Sequence, residues 1–213
     1  MVSEQETVFP FIVNEDGEWF NDEYETVQCR KCGIEVACTW ENFAIGSQTP
    51  IVICPECLGM LAVKWGQRWI PPEEFLKTRK RRNGLFPVKT PRERLTLKIL
   101  SFMAKRENFE FCLGINASKC MILWVEGEAV GYYYAYKLKS CGLPCLGQVY
   151  VRPEFRRRGY ATRMIQHWLE NNPGKVVVES PNDISLRILE KLGLVKLEGE
   201  YYVSLGRVSF VTF

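Results

Sequence analysis

The chain has 213 residues, 46% of them apolar, and a formal net charge of +3, which gives room for one large domain or two modest ones with a real core. No apolar run approaches the roughly 18–20 residues of a membrane span, and the acidic, polar beginning is unlike a signal peptide, so the expected setting is the cytoplasm. An odd count of nine cysteines without a secretory signal suits thiols and metal ligands better than a disulfide scaffold.

Charge is unevenly spread. Residues 1–28 carry Glu4, Glu6, Glu15, Asp16, Glu18, Asp22, Glu23 and Glu25, and no lysine or arginine. From Leu58 to Arg106, thirteen lysines and arginines face only Glu73, Glu74 and Glu93. A basic middle of this kind suits nucleic acid, an acidic protein or a phosphate-bearing ligand, and charge alone does not choose among them.

In chain order, Val8–Val13 and Glu18–Tyr24 alternate aromatic and acidic positions and predict a short hairpin or a pairing edge strand. Two Cys-x-x-Cys pairs follow, Cys29/Cys32 and Cys54/Cys57, separated by 21 residues (33 to 53). That spacing is the one found in four-cysteine zinc ribbons, where two tight turns converge four thiolates on one tetrahedral ion. Glycine after the second cysteine permits the turn, and the β-prone residues 34–44 and 49–53 supply hairpins. With four thiolates there is no open position for a catalytic water, so a Zn²⁺ here is expected to be structural. Cys38 lies off the spacing and reads as a core thiol.

Trp65 and Trp69 sit at helical spacing in the apolar stretch 58–70 and predict a packing surface. Pro71-Pro72-Glu73-Glu74 reads as a helix start, and the helix would run through Phe75 and Leu76 into the basic residues 77–82, with Asn83-Gly84 as its stop. That basic run is a solvated helix end or linker, with a nucleic-acid contact as the alternative. The expected organisation is an acidic segment and zinc ribbon over 1–60, a basic helical linker over 61–83, and a larger domain over 84–213.

In the larger domain, 85–89 reads as a first strand. Thr90-Pro91-Arg92-Glu93 is a capping box opening a helix through Arg106, with Leu95, Ile99, Leu100 and Met103 as its apolar stripe. Residues 121–125 and 129–139 predict two antiparallel strands around Glu126-Gly127-Glu128. Gln148–Val151 is a short strand that breaks at Pro153. Arg156, Arg157, Arg158 and Gly159 then lead into a helix with Met164, Ile165, Trp168 and Leu169 on one face. Strand, glycine turn and helix start together form a natural anion cradle, because first-turn N–H groups lack partners and carry partial positive charge.

Arg156, Gly159 and Ala161 stand in the three places of Arg/Gln-x-x-Gly-x-Gly/Ala, so the segment resembles motif A of the GCN5-related N-acetyltransferases, the GNAT superfamily. A second match lies downstream. Asn182, Glu190, Lys191 and Gly193 fit the pattern Asn-x-x-Ala-x-x-Leu-Tyr-Glu-Lys-x-Gly-Phe of motif B, with Ser185 in place of the alanine. Strands follow over 198–205 and 207–213, turned at Gly206. The resemblance covers residues 84–213 and implies a mixed α+β fold, a largely antiparallel sheet flanked by helices, beside the small zinc-ribbon β domain.

By that resemblance the chain is an acetyl-CoA-dependent N-acetyltransferase. The main chain of Val149–Val151 would hold the pantetheine arm, the Val151 N–H would stabilise the oxyanion, and Arg156, Arg157, Arg158, Gly159, Tyr160, Ala161 and Thr162 would take the pyrophosphate, with Asn182 also in the cofactor set. Glu179, at the end of the strand over 175–179, is the candidate base, with Glu126 and Glu128 behind it. Leu189 occupies the place of the usual tyrosine general acid. Either Tyr150, Tyr201 or Tyr202 does that work or the thiolate leaves unaided. His167 reads as a surface residue, and Cys141 and Cys145 as turn cysteines. The ribbon would recognise a nucleic acid or protein partner or a large acceptor, and the acceptor amine stays open. The competing reading is a nucleic-acid- or protein-binding scaffold with a degenerate fold of the same family.

Overall fold

Two Cys-x-x-Cys turns and one splayed strand set the architecture of the computed structural model, which describes residues 26–38, 42–43, 47–48, 51–78, 82–107, 119–179, 181–196 and 201–203. The chain divides into two units, Met1–Leu76 and Lys77–Phe213. The N-terminal hairpin expected over 8–24 and the strand over 207–213 lie outside the described residues.

In the first unit, β1 (Thr26–Gln28) and β2 (Glu35–Ala37) pair antiparallel around the first cysteine turn. A two-residue pair, β3 (Asn42–Phe43) and β4 (Ser47–Gln48), follows. Then β5 (Ile51–Ile53), β6 (Met60–Trp65) and β7 (Arg68–Ile70) form a three-stranded antiparallel sheet, with the second cysteine turn between β5 and β6. Among the described residues, one core cluster joins Cys38, Val52 and Ala62, with Val27, Val36, Leu61 and Trp69 packed against it. Cys38 is therefore the core thiol that its spacing suggested.

Two expectations for 58–83 are corrected. Residues 60–70 are a hairpin turned at Gly66, whose φ is +62°, so Trp65 and Trp69 owe their positions to strands rather than to a helix. β-branched and aromatic residues on a half-buried pleated surface outweighed the four-residue spacing. The helix after Pro71 is a single turn, α1 (Pro72–Phe75). It stops because the following backbone is taken by the second unit's own sheet: Lys77 bridges to Glu128, and the Thr78 N–H donates to the Gly127 carbonyl at 2.8 Å.

Among the described residues, the second unit has a seven-stranded sheet of order β13-β14-β12-β11-β10-β9-β8. Its strands are β8 (Gly84–Pro87), β9 (Cys120–Val125), β10 (Glu128–Lys137), β11 (Pro144–Val151), β12 (Val177–Glu179), β13 (Val195–Lys196) and β14 (Tyr201–Val203). All neighbours are antiparallel except β11 and β12, which run parallel. A parallel pair needs a long crossover, supplied here by α3 (Tyr160–Glu170). Cys145 thus lies in β11 rather than in a turn. The chain is a mixed α+β protein with helices flanking a largely antiparallel sheet.

α3 buries Met164, Ile165, Trp168 and Leu169 against Leu123, Val130, Tyr133, Leu146, Val151 and Val178. Full burial of such side chains contributes about 1.5–3 kcal/mol each. Leu189 of α4 (Asp183–Lys191) is 0% exposed in the same core. On the alternate residues of the sheet, Tyr132 and Tyr150 are buried toward α2 (Pro91–Arg106). Among the described residues, no helix is long and apolar enough to cross a membrane.

The capping box of α2 forms as the sequence predicts. The Glu93 N–H donates to Thr90 Oγ1 (3.2 Å), and the Glu93 carboxylate accepts from the N–H groups of Thr90 and Lys89 (both 2.9 Å) and from Arg82 (2.8 Å). Burial alone would raise the Glu93 carboxyl, but those donors outweigh it and hold the group near about 2 against an ordinary 4.5. A carboxyl depressed by folding stabilises fully above its unfolded value and loses that contribution as pH falls through its folded one. Urea unfolding between pH 4.5 and 2 should therefore show a progressive loss of stability that Glu93→Gln largely removes, the variant being weaker at neutral pH.

Candidate functional site

Strand β11 carries the candidate site because its two sides are treated differently. Toward β10 it is paired along its length, from Lys137↔Pro144 to Gly131↔Val151. Toward β12 only Cys145↔Val177 and Leu146↔Val178 pair. Beyond Leu146 the two strands part, and among the described residues no strand pairs with that edge of β11.

The parting coincides with a bulge, since Tyr134 pairs with Gln148 but Ala135 with Leu146, which leaves Gly147 extra. A Cβ at Gly147 would lie 2.9 Å from Tyr136 Cε1 and 3.2 Å from Tyr134 Cδ1. These two rings stack, 5.4 Å apart at 24°, over the bulge, so a larger residue there would have to displace them.

The open edge is also oriented. The Arg152 N–H donates to the Val130 carbonyl at 2.9 Å. Antiparallel ladders alternate hydrogen-bonded and non-hydrogen-bonded pairs, so Val130/Arg152, Tyr132/Tyr150 and Tyr134/Gln148 face one another. The N–H groups of Val149 and Val151 then point away from β10, toward the opening. The Val151 carbonyl is already taken by Arg156 Nε at 2.9 Å.

After the turn Pro153–Phe155, the backbone enters the left-handed region twice, at Arg157 (φ +63°) and at Gly159 (φ +77°), the N-cap of α3. Arg157 pays steric strain for this. No side chain caps α3, and its first internal bond is Arg163 N–H to the Gly159 carbonyl at 2.9 Å. The first-turn N–H groups of Tyr160, Ala161 and Thr162 are thus offered outward with the positive end of the helix. Arg157 and Arg158 are exposed beside them, Arg158 over the Phe155 ring at 5.6 Å.

The other sequence candidates fall in distinct places. Arg156 donates to the Glu107 carboxylate at the end of α2 as well as to Val151. Tyr150 is 1% exposed, and its hydroxyl donates to the same Glu107 at 2.8 Å. Burial, reinforced by that carboxylate, pushes its phenol above the usual range, so Tyr150 serves as a brace on the α2 face. Asn182 caps α4 by accepting the Ser185 N–H at 2.9 Å. The Glu128 carboxylate binds the buried Arg152 at 2.9 Å, while the Glu126 backbone N–H donates to Asn83 Oδ1 at 2.6 Å.

Glu179 stands at the apex of the wedge, one residue past the last β11–β12 pair, and accepts from the Tyr136 hydroxyl. Tyr136 was not legible as a site residue, because only the register shows what it faces. His167 is corrected as well. It is half-buried, with Nδ1 3.1 Å from the Tyr133 hydroxyl, and burial lowers its pKa. For Tyr201 and Tyr202, strand pairing is what the structure describes.

In the first unit, the sulfurs of Cys29, Cys32, Cys54 and Cys57 all lie within 4.8 Å of one another, and Cys29 and Cys57 are 3.7 Å apart. A tetrahedral Zn²⁺ at about 2.3 Å from each sulfur places them about 3.8 Å apart. The two turns repeat one pattern. Cys29 N–H donates to Ile34 and Gly33 N–H to Cys29, while Cys54 N–H donates to Gly59 and Leu58 N–H to Cys54. The left-handed position is Gly33 in the first turn, but Leu58 (φ +55°) rather than Gly59 in the second. The Cys32 N–H lowers the Cys29 thiol to about 7, whereas burial and the neighbouring thiols push Cys32 up.

Residues 87–194 match the family model described as "Acetyltransferase (GNAT) family". Three solved structures are similar. N-acetylglutamate synthase from Neisseria gonorrhoeae, complexed with coenzyme A and N-acetyl-glutamate, is 12% identical over 53% of this chain and 28% of its own, with a TM-score of 0.45. Naa50 from Arabidopsis thaliana, in complex with a bisubstrate analogue, is 18% identical over 58% and 97%, with a TM-score of 0.42. A mutant AtaT toxin bound to the C-terminus of the antitoxin AtaR and acetyl-CoA is 17% identical over 39% and 64%, with a TM-score of 0.32. The chain thus spans less than two thirds of the toxin and of the synthase.

The close approach of β10 to β11 is itself testable. A Cβ at Gly131 would lie 2.2 Å from the Tyr150 carbonyl oxygen, which is backbone and cannot rotate away. Gly131→Ala should cost more than about 2 kcal/mol, read as a lower midpoint in urea.

Proposed function

The chain belongs to the acetyltransferase (GNAT) family, and on that premise we propose that it transfers the acetyl group of acetyl-CoA to an amine. The observation that carries the reading is the open edge of β11 running into the uncapped start of α3. The N–H groups of Val149 and Val151 would hold the pantetheine arm and polarise the thioester carbonyl, with Val151 nearest the loop. Fixed backbone donors of this kind stabilise developing negative charge without reorganising. The first turn of α3, with Arg157 and Arg158, would hold the pyrophosphate, with Tyr160, Ala161 and Thr162 supplying N–H groups. Arg156 holds the loop against β11 and α2 from behind. Glu179 at the wedge apex would take the proton from the attacking amine.

Calorimetry with acetyl-CoA tests this directly. A Cβ at Gly159 meets nothing within 4 Å, but its φ of +77° strains any side chain, so Gly159→Ala carries that strain alone and Gly159→Glu adds a negative charge at the anion cradle. Binding should disappear in the glutamate variant and persist in the alanine one, with similar thermal midpoints for the two. Unchanged affinity in the glutamate variant would remove the assignment of this loop to the pyrophosphate.

We further propose that the four cysteines hold one structural Zn²⁺, since four converging sulfurs are the donor set that ion prefers. In a small unit such a staple would contribute folding energy directly. This ribbon, with Arg30 and Lys31 in one turn and exposed Leu58 in the other, would recognise a large acceptor or a partner. Metal analysis should return one zinc per chain, and Cys54→Ser should lose it. Retention of zinc by that variant would overturn the site.

A further inference from the structure

We infer that Tyr136 is the group that returns a proton to the departing sulfur, coupled to Glu179 as a two-residue relay across the mouth of the β11–β12 wedge. The inference rests on the acetyltransferase reading and supplies what Leu189 withholds. Leu189 is 0% exposed in the core beneath α3, so neither its chemistry nor its position serves a proton donor.

Three observations meet at Tyr136. Its hydroxyl donates to Glu179 Oε2, joining β10 to β12 across the intervening β11. Its ring stacks on Tyr134 and lies over the Gly147 bulge, the point at which β11 leaves β12. Its strand partner is Cys145, one residue before the last residue of β11 that pairs with β12, so the hydroxyl stands at the start of the open edge. Both Tyr136 and Glu179 are half-buried, shielded enough to hold a geometry and open enough to meet a substrate.

Burial, and then the bond to Glu179, pushes the Tyr136 phenol above its usual range. Such a phenol does not ionise by itself at neutral pH. It can give up its proton only as another arrives on the same oxygen, and Glu179 is placed to deliver one. In the step, the amine nitrogen bonds to the acetyl carbon and the carbon–sulfur bond breaks, its electron pair leaving on sulfur. The amine's proton passes to Glu179. The protonated carboxyl then donates to the Tyr136 oxygen as the phenolic proton turns away from Glu179 and goes to sulfur. Carboxylate and phenol end as they began, and the products are the acetamide and the free thiol.

The test uses the full chain, acetyl-CoA, and a panel of primary amines comprising tyramine, spermidine, a peptide N-terminus and a lysine peptide, with thiol release as the readout. Tyr136→Phe should keep the calorimetric Kd and the KM for acetyl-CoA within twofold while kcat falls about 10²-fold, in the range of one acid–base group. Glu179→Gln, which still accepts the tyrosine hydroxyl, should lose as much. The double variant should be no slower than the worse single one, because the two residues act as a unit. A Tyr136→Phe chain with kcat within twofold of the parent, or multiplicative losses in the double variant, would overturn the relay. So would a Glu179→Gln chain with undiminished turnover, or a parent that binds acetyl-CoA and acetylates none of these amines. Failure of the parent to bind acetyl-CoA would instead overturn the acetyltransferase reading itself.

Discussion

Everything in the second unit follows from two strand pairs that form and a third that does not. β11 and β12 pair at Cys145↔Val177 and Leu146↔Val178 and then part. Parallel strands buried on both faces normally pair along their length. Here the bulge at Gly147 turns β11 away, and the stacked rings of Tyr134 and Tyr136 occupy the space that any larger residue at Gly147 would need. The cost is a row of backbone groups without sheet partners. On the proposed reading, the same row would receive an extended, amide-containing arm.

The opening is kept rigid from behind. Glu107, at the end of α2, accepts from the Tyr150 hydroxyl and from Arg156, while Arg156 also ties its loop to the Val151 carbonyl. One carboxylate therefore joins helix, strand and loop. Arg152, 4% exposed, is held by Glu128, the Ala129 carbonyl and Glu154. Of the four arginines between 152 and 158, two are committed to holding the frame and two, Arg157 and Arg158, remain outward. Counting positive charge in the sequence overstates what an anion there would meet.

How much was legible in advance differs by the range of the interaction. The capping box of α2, the apolar face of α3 and the turn at Glu126-Gly127 are local, and each forms as its residues predict. The cysteine spacing likewise brings four sulfurs together. The stretch 58–83 misled because two tryptophans four apart satisfy a helix and a hairpin equally; length and β-branching decided for strands. Tyr136 could not be found from sequence, since its meaning depends on a residue 43 positions downstream and two strands across in the sheet. His167 misled for a related reason: the helix face was read from its apolar neighbours, while the Tyr133 hydroxyl supplies a polar contact at its margin.

Leu189 connects the fold to the chemistry. A helix residue that donates a proton must reach out of its helix into the wedge, whereas a leucine there can turn inward and pack with Leu146, Met164 and Val178. The gain in apolar burial, about 1.5–3 kcal/mol for a leucine, is bought by giving up the donor. The proposed donor on β10 would answer that loss with a different kind of precision. The hydroxyl of Tyr136 is positioned by strand register, by ring stacking on Tyr134 and by a carboxylate on β12, and groups carried on paired strands hold their geometry better than groups at a loop or helix margin. On the proposed reading, moving the donor onto the sheet would also place it beside the base, and two separate proton transfers would become one exchange between neighbours.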